Sequence, residues 1–200
     1  MKIGPRFKRA RYLGAPVFTK TQTQKFAMSA QKKTKTKGRR SAKSEYGQQM
    51  MEKQKARYSY GVSSKQFAKY VEIALKAEGD NGKNLLRILE GRLDNVVLRA
   101  GYAPSRSAAR QMVSHAHITV NGKNVTVPSY EVRVGDVIAI REGSKAKALF
   151  SKLDETFKVI KWPSWIKVAA DTKAVTIDGE PGPDGELLFS VRSVLEFYTR

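Results

Sequence analysis

SRSAARQMVSHAHITVNGKNVTVPSYEVRVGDVIAI, residues 105–140, is the stretch whose reading decides the fold. Ser105 is a natural N-cap, and from Arg106 onward each residue turns by about 100° if the segment is helical. On that wheel Ala108, Ala109, Met112, Val113 and Ala116 share one arc of roughly 140°, and Arg106, Ser107, Arg110, Gln111, Ser114 and His115 fill the rest. One face packs and the other is left for a ligand. Ile118-Thr119-Val120, then Asn121-Gly122, then alternating Val125 and Val127 predict a two-residue hairpin that Pro128 ends. Val132 and Val134, the turn at Gly135-Asp136 and the apolar run 137–140 predict a second hairpin.

Toward the N-terminus, Leu93, Val96, Val97 and Ala100 form a helical stripe that Gly101 stops. Leu98 falls off that stripe, reserved for another part of the chain or a neighbour. Before it, Leu85, Leu86, Ile88 and Leu89 mark a short apolar helix after a loop at Asp80-Asn81-Gly82. Ser63 caps a clearer helix with Phe67, Val71, Ala74 and Leu75 at helical spacing, stopped at Gly79, and residues 45–58 are helix-compatible. Toward the C-terminus, Trp162, Trp165 and Ile166 indicate a packed strand or turn, residues 175–177 and 194–197 read as strands, and 181–185 as a loop.

The charge is placed as tellingly as the apolar pattern. The chain of 200 residues carries 38 Lys and Arg against 18 Asp and Glu, a net of +20 that calls for a polyanionic partner. Of the basic residues 14 precede Ser44, while the first acid is Glu45. Residues 29–44, SAQKKTKTKGRRSAKS, hold seven basic side chains and no large apolar one, too little to bury for independent order. A solvated linker and a segment that orders on RNA both fit that composition, and the second is the expectation.

Several classes of function are excluded. With no cysteine there are neither disulfides nor thiolate metal sites, and two histidines do not make a structural zinc site. No apolar run reaches the roughly 18 residues of a membrane span. There is no Ser-His-Asp or Cys-His set and no Gly-rich nucleotide loop. No enzyme activity, cofactor, small-molecule substrate or membrane partner is expected.

Residues 92–145, RLDNVVLRAGYAPSRSAARQMVSHAHITVNGKNVTVPSYEVRVGDVIAIREGSK, resemble the RNA-binding module named after bacterial small-subunit ribosomal protein S-four. The flanks resemble the ribosomal family itself: GPRFKRARYLG at 4–14, YGQQMMEKQKARYSYGV at 46–62, NLLRILEGRLDNVV at 84–97 and the terminal LEFYTR. The chain departs from that family twice. It lacks the four-cysteine zinc knuckle of many members, so it resembles the zinc-free branch and inherits no metal role. Lys37-Gly38-Arg39-Arg40 also stands near where the family has a Pro-Gly-x-His-Gly stretch. Gly91-Arg92-Leu93-Asp94 is similar to the catalytic string of pseudouridine synthases, but those enzymes place a catalytic domain after the module, and only about fifty residues follow it here. Asp94 is expected to orient Arg92 or to cap backbone.

The resemblance implies an α+β protein. A basic arm at 1–44 and a helical region at 45–91 precede an inserted module of two helices and a small antiparallel sheet at 92–147; a mixed C-terminal segment, 148–200, packs back on the helices. It further implies a constituent of the small ribosomal subunit, in bacterial cytosol or an organelle, that binds the 5′ domain of small-subunit rRNA at a multi-helix junction and joins assembly early. Neighbouring ribosomal proteins and mRNA on its inward path are implied partners, with an effect on decoding accuracy. The side chains expected to meet RNA are Arg6, Lys8, Arg9, Arg11, Lys32, Lys33, Lys35, Lys37, Arg39, Arg40 and Lys43 in the arm. Lys53, Lys55 and Arg57 follow in the helical region, then Arg92, Arg106, Arg110, Gln111, Ser114, His115, Asn121 and Lys123 in the module. For Arg106 and Arg110 the alternative is a plain solvated helix face, and for His115 and His117 local backbone bonding. Tyr46, Tyr58 and Tyr60 stack on bases or, preferably, pack between helices.

Overall fold

Pro5 and Gly14 bracket the first helix, α1 (Arg6–Leu13), Pro5 with its ring-fixed φ of −61° and Gly14 in the left-handed region at 69°. The computed structural model describes residues 3–35, 44–169, 171–183 and 185–200, with backbone alone for 30–35. Helix α2 (Gln24–Lys35) follows a 3₁₀ turn at Thr19–Thr21. The helix therefore reaches into the segment expected to lack order, through Lys32, Lys33 and Lys35, while Lys37, Arg39, Arg40 and Lys43 lie outside the described residues. The 12-residue helix carries its apolar Phe26 in contact with a small core of Ala10, Leu13, Ala15, Val17, Phe18 and Tyr58, which the composition of residues 29–44 taken alone does not reveal.

Two helices with serine caps come next. In α3 (Glu45–Ser59) the Ser44 hydroxyl accepts from the N–H of Gly47, and in α4 (Ser64–Lys76) Ser63 accepts from that of Gln66, each bond contributing about 1 kcal/mol. Phe67, Val71 and Ala74 of α4 are fully buried, as their spacing predicts.

The chain divides into two compact units, residues 1–82 with 186–200, and residues 83–185. The second unit is built from α5 (Asn81–Glu90), α6 (Leu93–Arg99), α7 (Arg106–Ser114), β1 (Ile118–Val120), β2 (Lys123–Asn124), β3 (Val137–Ile140), the single turn α8 (Glu142–Lys145), α9 (Leu153–Val159), β4 (Ile166–Val168) and β5 (Val175–Ile177). Its five strands lie in the order β2-β1-β3-β5-β4, every neighbour antiparallel. Leu93, Val96, Val97, Ala109, Val113, Ile118, Ile138, Val175 and Ile177 form the centre of its core at zero exposure. Leu98, off the α6 stripe, packs half-buried against that core.

Asn121 and Gly122 both take positive φ, 51° and 76°, so the first hairpin turns as the sequence predicts. Its second strand is shorter than expected. After Asn124 the chain leaves the sheet and caps α6 instead: the N–H groups of Leu93 and Asp94 donate to the carbonyls of Tyr130 (2.8 Å) and Pro128 (3.1 Å), and the N–H of Val132 donates to Gly91 (2.9 Å). Helix starts leave such donors unpaired, and residues 128–132 satisfy them rather than forming the expected hairpin with 137–140. Strand β3 pairs instead with β1 and β5, Ile138 standing between Val120 on one side and Val175 on the other.

The C-terminal segment divides between the units. Residues 148–185 belong to the second, where β4 and β5 complete the module's sheet. The end of the chain returns to the first unit as α10 (Val191–Thr199), packed along α3. The expected strand at 194–197 is thus helical. Val191, Val194, Leu195 and Tyr198 recur at helical spacing, Ser190 caps by accepting from the N–H of Ser193 (3.3 Å), and Arg192 pairs with Glu196 one turn on (2.9 Å).

Candidate nucleic-acid interface

The polar face of α7 is positioned by α6. Ser105 starts α7 by accepting from the N–H of Ala108 (3.3 Å), and Ala109, Met112 and Val113 bury the opposite face. Arg110 then reaches Asp94, its Nε and Nη2 donating to the same carboxylate oxygen, Oδ2, at 3.0 and 2.6 Å. Arg92 closes on that carboxylate from the other side, Nε to Oδ1 at 3.0 Å and Nη2 to Oδ2 at 2.7 Å. The Asp94 side chain is 3% exposed, that of Arg92 6% and that of Arg110 33%. One buried carboxylate therefore holds two guanidiniums, of which one reaches the surface.

The next residue repeats the arrangement with an amide. Asn95 Oδ1 accepts from Arg106 Nε at 3.0 Å, while its Nδ2 donates to the Glu90 backbone carbonyl at 3.1 Å and to the Glu90 carboxylate. Glu90 is fully buried and takes a two-pronged contact from Arg99, Nε at 3.1 Å and Nη2 at 3.0 Å. Adjacent residues in the first turn of α6 thus fix two arginines one turn apart on α7. Such charge-assisted bonds hold geometry more firmly than neutral ones, and burying the acceptors shields them from water and salt.

Several expected contacts change role. Arg92 is buried and bound to Asp94, so it positions Arg110's partner instead of presenting a cation; charge in a sequence reads as surface until a buried acid is seen beside it. Asn121 is exposed, but its side chain ties the hairpin to the next turn, donating to Asp136 Oδ1 (2.8 Å) and accepting from the N–H of Val137 (2.9 Å). Gln111, Ser114, His115 and Lys123 are exposed. Asn95 and Glu90 are not among the residues that the sequence marks. Their arginine partners lie 11 and nine residues away and no local spacing marks them.

The first unit holds its cations differently. Arg9 of α1 donates to the Tyr58 hydroxyl and lies 5.1 Å from the centre of that ring, and Arg57 lies 4.5 Å from it. Lys53 stands 4.2 Å over the Phe197 ring and 4.8 Å over Tyr198. Burial, and then Arg57, hold Lys53 below its ordinary value; burial, and then Arg9, do the same to Arg57. Lys55 pairs with Glu52 (2.6 Å), whose other oxygen accepts from the N–H of Ser190 (2.9 Å). Lys8 and Arg11 are exposed and Arg6 half-exposed. Tyr58 and Tyr60 are buried and pack as preferred, whereas Tyr46 is exposed, its ring 5.4 Å from that of Phe197.

The site carries no reacting group of the kind the Gly91-Arg92-Leu93-Asp94 string raises. A carboxylate clamped between two arginines at 3% exposure reaches no substrate. Among the described residues no group of three or more His, Asp or Glu could hold a metal ion, and no helix is long and apolar enough to cross a membrane. Fold and charge together define a basic α+β binding protein in which rigidly held arginines, rather than catalytic groups, face outward.

Comparison with known proteins makes the class specific. A family model described as S4 domain matches residues 91–138, and one described as Ribosomal protein S4/S9 N-terminal domain matches residues 1–90. The small ribosomal subunit protein uS4 of Delftia acidovorans is 44% identical over 188 residues, covering 91% of this chain and 90% of its own. That of Christiangramia forsetii is 43% identical over 177 residues (88% of each chain), and that of Polaromonas naphthalenivorans 40% over 206 residues (99% and 98%). The chain belongs to the small ribosomal subunit protein uS4 family, whose members are structural, non-enzymatic proteins.

Proposed function

We propose that the protein is a structural constituent of the small ribosomal subunit that binds small-subunit rRNA directly. It recognises a multi-helix junction in the 5′ domain and joins assembly early. In the finished particle it lies beside the inward path of mRNA, touches neighbouring ribosomal proteins and contributes to decoding accuracy. The observation that carries the reading is the pair Asp94 and Asn95 holding Arg110 and Arg106 at fixed spacing. Backbone phosphates of folded RNA are discriminated by shape, so donors must be rigid to select one fold. Flexible cations attract any polyanion equally. Lys8, Arg11 and the other arm residues supply that attraction, which weakens steeply with salt as counterion release predicts.

The test compares a transcript of the 5′ domain with duplex DNA at physiological salt. A clear preference for the transcript is expected, and equal binding, the behaviour of a nonspecific packaging protein, overturns the reading. Arg106→Ala with Arg110→Ala should lower transcript affinity by about tenfold or more, at roughly 1.5–3 kcal/mol for a hydrogen bond to a charged group, while DNA binding changes less. Retained selectivity removes these two residues from the interface. In a sucrose gradient the protein should travel with small subunits after a high-salt wash.

A further inference from the structure

The C-terminal end of α7 gathers cations that the Asp94 and Asn95 arrangement does not hold. The helix closes with the N–H of Ala116 on the Val113 carbonyl (2.9 Å) and that of His117 on Met112 (3.0 Å), Ala116 itself standing at φ 56°. Glycine is the usual residue in that left-handed position, so an alanine there is uncommon. The turn sets His115 and His117 side by side, their rings 6.2 Å apart and 17° from parallel. Behind His117, its Nδ1 lies 2.9 Å from the hydroxyl of buried Ser144 on α8, and the Phe150 ring meets it edge-on at 6.4 Å. Beside it, β3 runs out to Arg141, whose N–H donates to the His117 carbonyl (2.9 Å), and the chain turns back through Lys147.

The charged groups facing His117 are thus Arg141 at the end of β3, Lys147 after α8 and His115 on α7, all cations or potential cations. Glu142, which follows Arg141 in the chain, is paired with Lys145 on α8 at 2.6 Å. Gln111 and Ser114 complete the α7 rim without charge. A concentration of positive groups around an imidazole is a site prepared for an anion.

We propose that His115, His117, Arg141 and Lys147 form a notch that binds one backbone phosphodiester of the RNA, with His117 taking up a proton as the phosphate enters. The inference rests on the RNA-binding reading above. In the free protein, burial first, and then Lys147, His115 and Arg141, hold His117 below its ordinary value of 6.5 and so favour the neutral ring. An entering phosphate reverses the local field and raises that value. Affinity then increases as pH falls from the bound value toward the free one and levels off below it.

The experiment measures binding of the full chain to the 5′-domain transcript at fixed ionic strength from about pH 8 to about pH 6. The wild type should gain roughly three- to tenfold in affinity, one proton supplying at most tenfold per pH unit. His117→Gln with His115→Gln should lose that gain, and because the RNA is common to all arms its own protonation cancels in the difference. Arg141→Gln with Lys147→Gln alters exposed side chains only, and should weaken binding by about tenfold at pH 7. If the glutamine pair at the histidines unfolds the chain, this second pair decides. A pH profile identical in wild type and folded histidine variant, or full affinity of the Arg141 and Lys147 variant, overturns the notch. Failure of the wild type to prefer the transcript over DNA at pH 7 is a separate result, which overturns the RNA-binding reading first.

Discussion

The two units differ in how they hold a set of their cations. In the first, Arg9, Arg57 and Lys53 lie on the rings of Tyr58, Phe197 and Tyr198; in the second, Arg92, Arg110, Arg99 and Arg106 are bound by Asp94, Glu90 and Asn95. A ring orients a cation without cancelling its charge, whereas a buried carboxylate neutralises one guanidinium and fixes it firmly. The first arrangement preserves field, which reaches far and does not discriminate. The second gives up field for geometry, which selects among RNA shapes.

The comparison is broken most severely at Asp94. Asp94→Ala leaves Arg92 buried without its counter-charge and should destabilise the second unit by about 3–5 kcal/mol, read as a lowered midpoint in denaturant. An unchanged midpoint would mean that water or another acceptor replaces the carboxylate, and the claim of rigidity would go with it. Next is Tyr58→Leu, which removes the ring that Arg9 and Arg57 share and the hydroxyl that accepts from Arg9; about 1–2 kcal/mol is expected at roughly 0.5–1 kcal/mol per cation on a ring. The smallest effect belongs to Lys53. Its folded value is depressed, so the folded state loses that proton before the unfolded chain does, and stability rises with pH between the two values. Lys53→Met should therefore stabilise slightly near pH 7 and abolish the alkaline rise, as urea midpoints at neutral and alkaline pH would show. A variant that loses stability at pH 7 would show that the ammonium contributes net attraction to the rings.

What the sequence discloses divides along the same physical line. The α7 wheel, the Asn121-Gly122 turn and the Ser63 and Ser105 caps are legible because each depends on residues within a turn or two of one another. The clamp on Asp94 is half legible: Arg92 lies two residues away and is expected as a partner, but Arg110 lies 16 away and is brought there by packing. Reading 194–197 as a strand follows the β-branched and aromatic residues and overlooks the Arg192 and Glu196 pair one turn apart. Residues 128–132 give no local sign that they cap α6, because the demand for their carbonyls comes from N–H groups at positions 93 and 94, far back along the chain.

The sheet order carries a consequence for synthesis. Strand β3 has its second partner in β5, whose paired residues Val175 and Thr176 come much later in the chain. While a polypeptide is being made, the edge at residues 137–138 therefore stays open until residue 176 has left the exit tunnel. An uncovered edge next to buried Ile138 is a template for pairing with another chain. The sheet behind the module is thus finished late, and a nascent chain halted between those points would carry a shaped α7 face on an unfinished sheet.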